Sequence, residues 1–235
     1  MLADAFRYPL RDGTARDAVA ICTGLVIVVL LLFRVARALW PTLLVVVPAL
    51  LAVVPAALFV GYLGSLLAPD PTAAVGSHPA APSWSVETFT NGLRMLVVAG
   101  GYLAPAAVAV FLTAFVLLEG GGGALLTIAP TVALLATVVS LYVLPAALTA
   151  AVVRGLRAGF SRASLGGLAS GSYFFAWTVA TSLVVSAWSL LAAVATATPA
   201  ALVLAVVLAY VHVVAARLLS SGIRRSPRSP WNGRG

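Results

Sequence analysis

Lysine is absent from this 235-residue chain, and all 14 of its basic residues are arginine. With so much alanine, valine, leucine and glycine beside them, that is a GC-rich codon bias rather than a functional choice. Cysteine occurs once, as Cys22 inside an apolar run. One cysteine excludes an intramolecular disulfide and any multi-cysteine metal site, and a buried cysteine behaves as a small hydrophobe. Charged residues of either sign are only 9 % of the chain, where a soluble domain carries roughly a quarter. A water-soluble core is thereby excluded.

The motifs of chemistry are missing as well. There is no HExxH, no pair of carboxylates and no Ser/His/Asp set with a plausible base. His78 stands alone among proline and alanine, a solvated loop histidine rather than a zinc ligand. The glycines after Glu119 lack the Lys-Ser/Thr ending of a phosphate loop and form a turn. No Asp, Glu or Arg falls in the middle of an apolar run, which argues against a proton relay, an ion pump or a voltage sensor. No metal and no cofactor is expected. The net charge of +8 does not point to nucleic acid, because the arginines flank apolar runs instead of forming a basic face on a folded module.

What is present is hydrophobic sequence, 62 % of the residues, in runs long enough to cross a bilayer. The fold class is therefore all-α: a polytopic transmembrane helical bundle of about six spans with short interfacial amphipathic helices. Spans are predicted near 18–37, 42–67, 95–118, 125–147, 172–195 and 199–216, within a single membrane domain over 1–223. The residues before them, MLADAFRYPLRDGTARD, make an amphipathic lead-in on the membrane surface through Leu2, Ala5 and Phe6. Ala36-Arg37-Ala38 loosely resembles a signal-peptide cleavage site, but the acidic residues before the run and the arginines after it argue against cleavage. Pro41, Pro48 and Pro55 fall in or beside the second span and would kink it. Prolines 69, 71, 79 and 82 make an extended loop, with a helix beginning at Ser85 or Thr88 along the surface. Gly171 to Ala216 is far too long for one crossing of a 30 Å core, so Thr196-Ala197-Thr198-Pro199 is read as a hairpin. Residues 224–235 form a basic, disordered tail.

The connection from Tyr142 to Trp177 fixes orientation. Arg154, Arg157 and Arg162 fall opposite Val153, Leu156 and Phe160 on a helical wheel, as in a short interfacial helix whose arginines meet anionic headgroups. With six spans, Arg34 and Arg37 lie on one side of the membrane and the other 12 arginines on the other. By the positive-inside rule both termini are cytoplasmic. Gly155-x-x-x-Gly159 and Gly167-x-x-x-Gly171 match the small-residue pattern of helix contacts. Ser182, Ser186 and Ser189 recur at helical spacing along the fifth span, in a helix-contact or back-bonded role. Glu119 and His212 sit at span ends.

The order AFRYPLRDG (5–13), GYLGSLL (61–67), WSVETFTNGLRMLVV (84–98), YVLPAAL (142–148), AGF (158–160) and SGSYFFAW (170–177) resembles the archaeal, largely halophile membrane-protein family called domain of unknown function 4013 (DUF4013). That family has no established activity, so the resemblance implies class and location but no catalytic residue. The resulting expectation is a non-enzymatic structural or assembly component of the cell membrane. Its lipid-headgroup and topology residues are Arg154, Arg157, Arg162, Arg224, Arg225 and Arg228. Its partners are anionic lipids at the cytoplasmic face and a second copy or another membrane protein. The alternative is a carrier or channel for a neutral or apolar solute, lined by Tyr62, Tyr102, Tyr142, Thr137, Ser140 and Ser186. An enzyme acting on lipid is a distant third.

Overall fold

The structure, a computed structural model, describes residues 2–68, 85–118, 123, 125–161, 168, 170–194 and 198–225. Eight helices order the described residues: α1 (Leu2–Arg7), α2 (Gly13–Ala38), α3 (Val46–Leu67), α4 (Val86–Leu118), α5 (Leu125–Arg154), α6 (Leu156–Gly159), α7 (Gly171–Val194) and α8 (Thr198–Arg224). Single 3₁₀ turns follow α1 at Tyr8–Leu10 and precede α3 at Leu43–Val45. Six of these helices are long and apolar enough to span a membrane, as the hydrophobic runs predict.

The spans outrun their predicted bounds, mostly at the arginine-rich end. Three polar side chains start helices there. Asp12 accepts from the Ala15 amide at 2.8 Å, Ser85 from Thr88 at 3.1 Å and Ser170 from Tyr173 at 3.3 Å. Each satisfies an amide that a first helical turn leaves open. Because of the Ser85 cap, the helix expected on the surface is continuous with the third span as α4. At the other extreme α8 continues beyond residue 216 to Arg224 because Leu218, Ser220 and Ile223 are buried. His212 is consequently near the middle of α8, not at its end.

The second span is not broken. Pro41 precedes the helix, Pro48 lies in its first turn where no amide partner is required, and only Pro55 is interior to α3. Threonines along the spans return their hydroxyls to their own helix. Thr113 donates to Ala109 at 2.8 Å, Thr137 to Ala133 at 2.7 Å and Thr178 to Phe174 at 2.9 Å, which removes a free donor from hydrocarbon.

The bundle is built around α8. Half of its most apolar stretch is buried, against 6 % of that of α4. Helices α2 and α3 pack on it with α7, α4 packs on α3, and α5 packs on α4. Cys22, Leu66, Met95, Ala205, Leu208 and Val213 form the centre of the core. Lipid is as apolar as leucine, so small residues that let backbones meet hold such helices together. A Cβ on Gly92 would fall inside the Ala57 carbonyl, and one on Gly61 inside that of Thr88. Among the described glycines, these two at the α3–α4 crossing have the closest main-chain neighbours. Gly222 similarly lies against Ala176 and the Ser172 carbonyl, joining α8 to α7. Of the glycines expected at contacts, Gly159 does pack, with Val98 and Ala151 2.9 and 3.1 Å from where its Cβ would be. Gly155 and Gly171 face open space, and Gly167 is outside the described residues.

Candidate functional site

Prolines generate the first polar arrangement. Pro145 in α5 has no amide hydrogen, so the carbonyl of Leu141, four residues back, has no partner in its own helix. The Trp177 indole of α7 donates to that carbonyl at 2.8 Å. One residue along, the Tyr173 hydroxyl donates to the Tyr142 carbonyl at 2.5 Å. Tyr142 in turn donates its hydroxyl to Leu168, and its ring meets Tyr173 and Trp177 edge-on with centroids 5.3 and 5.0 Å apart. Three aromatic side chains thus hold α5 and the start of α7 together through main-chain acceptors, one of which, the Leu141 carbonyl, Pro145 leaves open.

A second tie lies beside it. Gly155, at φ +90, ends α5 and turns the chain into α6. Phe160 then stacks on Tyr102 of α4, centroids 5.7 Å apart and planes 2° from parallel. The Tyr102 hydroxyl donates to the Gly159 carbonyl at 3.0 Å. Helix α6 is therefore fastened to α4 by its main chain, while Arg154 and Arg157 on either side of Gly155 are exposed.

The family model described as protein of unknown function (DUF4013) matches residues 43–198, more than half of the chain. The chain belongs to this family. The DUF4013 segment runs from the start of the second span to the start of α8, so the Trp177–Leu141 and Tyr102–Gly159 ties both lie within it. Three stretches that carried the resemblance, YVLPAAL, AGF and SGSYFFAW, contribute Tyr142, Pro145, Gly159, Phe160, Tyr173 and Trp177 to these ties, while Leu141 and Tyr102 lie outside them. No curated protein and no solved structure matches the chain.

A third arrangement lies outside the DUF4013 segment, and residue patterns alone did not reveal it. The N-terminal lead-in docks on the bundle: Ala5 packs with Val214 and Leu218 of α8, and the Tyr210 hydroxyl donates to the Phe6 carbonyl at 2.7 Å. Tyr8 is buried beneath the Arg217 guanidinium, which lies 4.0 Å from its ring centroid, a favourable cation–π geometry. Tyr8 and Tyr62 are hydrogen-bonded to each other. Burial pushes the Tyr8 hydroxyl above its ordinary pKa, partly offset by Arg217 and by the bond with Tyr62. The sequence signal was AFRYPL, whose tyrosine and proline point into the protein while Leu2 and Phe6 remain partly exposed.

The residues expected to meet headgroups are placed as follows. Arg154 ends α5, Arg157 is in α6, Arg224 ends α8 and Arg225 follows it, all four exposed. They share one end of the bundle, because Ser172 at the start of α7 bonds to Gly222 near the end of α8 at 3.3 Å. Arg162, Arg228 and Glu119 lie outside the described residues. Tyr102, Tyr142 and Thr137, expected along a solute path, instead each donate to a main-chain carbonyl. Ser182, Ser186 and Ser189 lie on the exposed face of α7. His212 is held by Leu208, whose carbonyl is 2.7 Å from Nδ1, and by Trp188, which donates to Nε2 at 3.4 Å.

Proposed function

We propose that this protein is a non-enzymatic structural or assembly component of the cell membrane, with both termini cytoplasmic and its arginine-rich end on anionic headgroups. One observation carries the reading. The aromatic donors that could serve a substrate, buried Tyr173 and partly buried Tyr102, Tyr142 and Trp177, are each committed to a carbonyl of a neighbouring segment. Their role is to set helices in place. A second feature supports assembly. Phe111, Phe115 and Leu118 of α4, with Leu134, Leu135 and Val139 of α5, are all more than half exposed, a lateral surface suited to another membrane protein or a second copy. The absence of lysine and the alanine-rich composition fit an archaeal, halophile source.

Thermal unfolding of the detergent-purified chain against lipids and small solutes tests the reading. A ligand that binds only the folded state raises the midpoint with concentration. The expected result is stabilisation by anionic lipid that is lost when Arg154, Arg157 and Arg162 are changed to glutamine. Stabilisation by one neutral solute, independent of headgroup charge, would overturn it in favour of a carrier.

A further inference from the structure

Helices α2 and α7 each pack along α8 but not along each other, and a hollow of about 390 Å³ lies where they stay apart. Leu30 and Phe33 from α2, Trp188 and Leu191 from α7 and Ala201 from α8 form its wall. All of them lie in helices long and apolar enough to span a membrane. The lining is hydrocarbon. Arg34 and Arg37 contribute the stems of their side chains to it, as arginines do along apolar surface. Trp188 contributes its ring, because its indole N–H is directed to His212 Nε2 at 3.4 Å. His212 accepts there with Nδ1 carrying the ring proton, 2.7 Å from the Leu208 carbonyl. The one polar group of the Trp188 ring is thus engaged away from the hollow.

Such a hollow does not hold water. A water needs two to four polar partners, and a cavity walled by leucine and phenylalanine stays dry. Left empty, its walls would lose the dispersion contacts of a packed interior. The fitting occupant is hydrocarbon, and three features select a chain over a compact molecule. The volume of about 390 Å³ is more than twice the roughly 150 Å³ that holds benzene. The α2 side of the wall runs from Val29 to Arg37, eight positions or about 12 Å at 1.5 Å per residue. The slot is therefore elongated along the helix, in the direction of lipid chains. Phe33 and Trp188 are also exposed, so it opens to the lateral surface of the bundle, where the medium is bilayer hydrocarbon. We propose that this slot is a binding site for one hydrocarbon chain of a membrane lipid, recognised by its chain and not by its headgroup. The site does not depend on the role of the arginines at the other end of the bundle.

Native mass spectrometry of the full-length protein tests the proposal. The protein in neutral detergent is given equal amounts of phosphatidylcholine and phosphatidylglycerol with the same brominated chains, and excess lipid is removed by gel filtration. The expected result is a single retained lipid per protein, drawn from the two headgroups in equal measure. Its chain should quench Trp188, read as the difference from Trp188→Phe. Ala201→Phe places a ring in the slot and should weaken retention by about tenfold or more, with the thermal midpoint kept. Should that variant fail to purify, Ala192→Phe fills the slot from α7 and carries the same expectation. Arg154→Gln with Arg157→Gln should leave retention and quenching as they are, which separates the slot from headgroup contact at the other end. No retained lipid, retention of phosphatidylglycerol alone, an unquenched Trp188, or indifference to the filling ring would each overturn the proposal. So would displacement of the lipid by equimolar dodecane, which would make the slot a site for free hydrocarbon.

Discussion

The Trp177 indole donates to the carbonyl of Leu141, the acceptor that Pro145 strips of its own amide partner. A helix defect in α5 is thus the docking point for α7. Trp177→Phe keeps an aromatic ring, though a smaller one, and deletes the bond, at a cost of about 1 kcal/mol for a hydrogen bond between spans. The thermal midpoint in detergent should fall by a few degrees. In a Pro145→Ala background the new amide claims Leu141, so the same Trp177 change should cost much less. Additive effects of the two substitutions would sink this coupling.

Gly92→Ala should be the most damaging of the small substitutions, because its methyl group would overlap the Ala57 main chain where α3 and α4 touch. Overpacking of this kind costs about 1–3 kcal/mol and more when backbone must move. Gly100→Ala, eight positions further along α4, meets open space and should stabilise the helix by roughly 0.5–1 kcal/mol. Size-exclusion profiles and midpoints of both variants decide the matter, and equal behaviour would refute the crossing.

Neutralising Arg154, Arg157 and Arg162 together should loosen orientation. Each arginine at an anionic surface contributes about 1 kcal/mol, and these three lie in the longest interior connection with such density. Reporter fusions placed after α5 and α7 should show mixed sidedness. Wild-type sidedness would contradict the orientation reading.

Cys22 offers a direct readout of the N-terminal segment. It is fully buried in the same core as Tyr8 and Tyr62, and it is the only thiol. Maleimide should label the folded protein slowly. Tyr8→Ala removes the ring beneath Arg217 and should speed labelling by about tenfold or more, because local opening sets the rate for a buried group. Unchanged labelling would show that Tyr8 does not cover the path.

Six crossings were legible because hydropathy reports the bilayer directly. Helix ends were not, because it measures the solvent around a residue and not its hydrogen bonding. Asp12 and Ser170 start helices ahead of the apolar runs, while the start at Ser85 was legible and only its continuity with the third span was not. The proline pattern was visible, yet its consequence required the fold. Pro55 leaves α3 continuous, while Pro145 acquires meaning only when Trp177 is known to stand beside it. Of the arginines, sequence order gave the grouping at each end. It gave no hint that Arg34 and Arg37 share a cavity with Trp188, some 150 positions away.

The length of α4 has a mechanical consequence. From Met95 to Leu118 it is apolar for roughly 36 Å at 1.5 Å per residue, longer than a hydrocarbon core of about 30 Å. A surplus of this kind is taken up by tilt, by a kink such as Pro105 permits, or by local thickening of the bilayer. Its neighbour α5 packs along it, and α4 is held to α3 where Gly92 meets Ala57 and Gly61 meets Thr88. A change in bilayer thickness would therefore load the α4–α5 hairpin against the close α3–α4 contacts at Gly61 and Gly92.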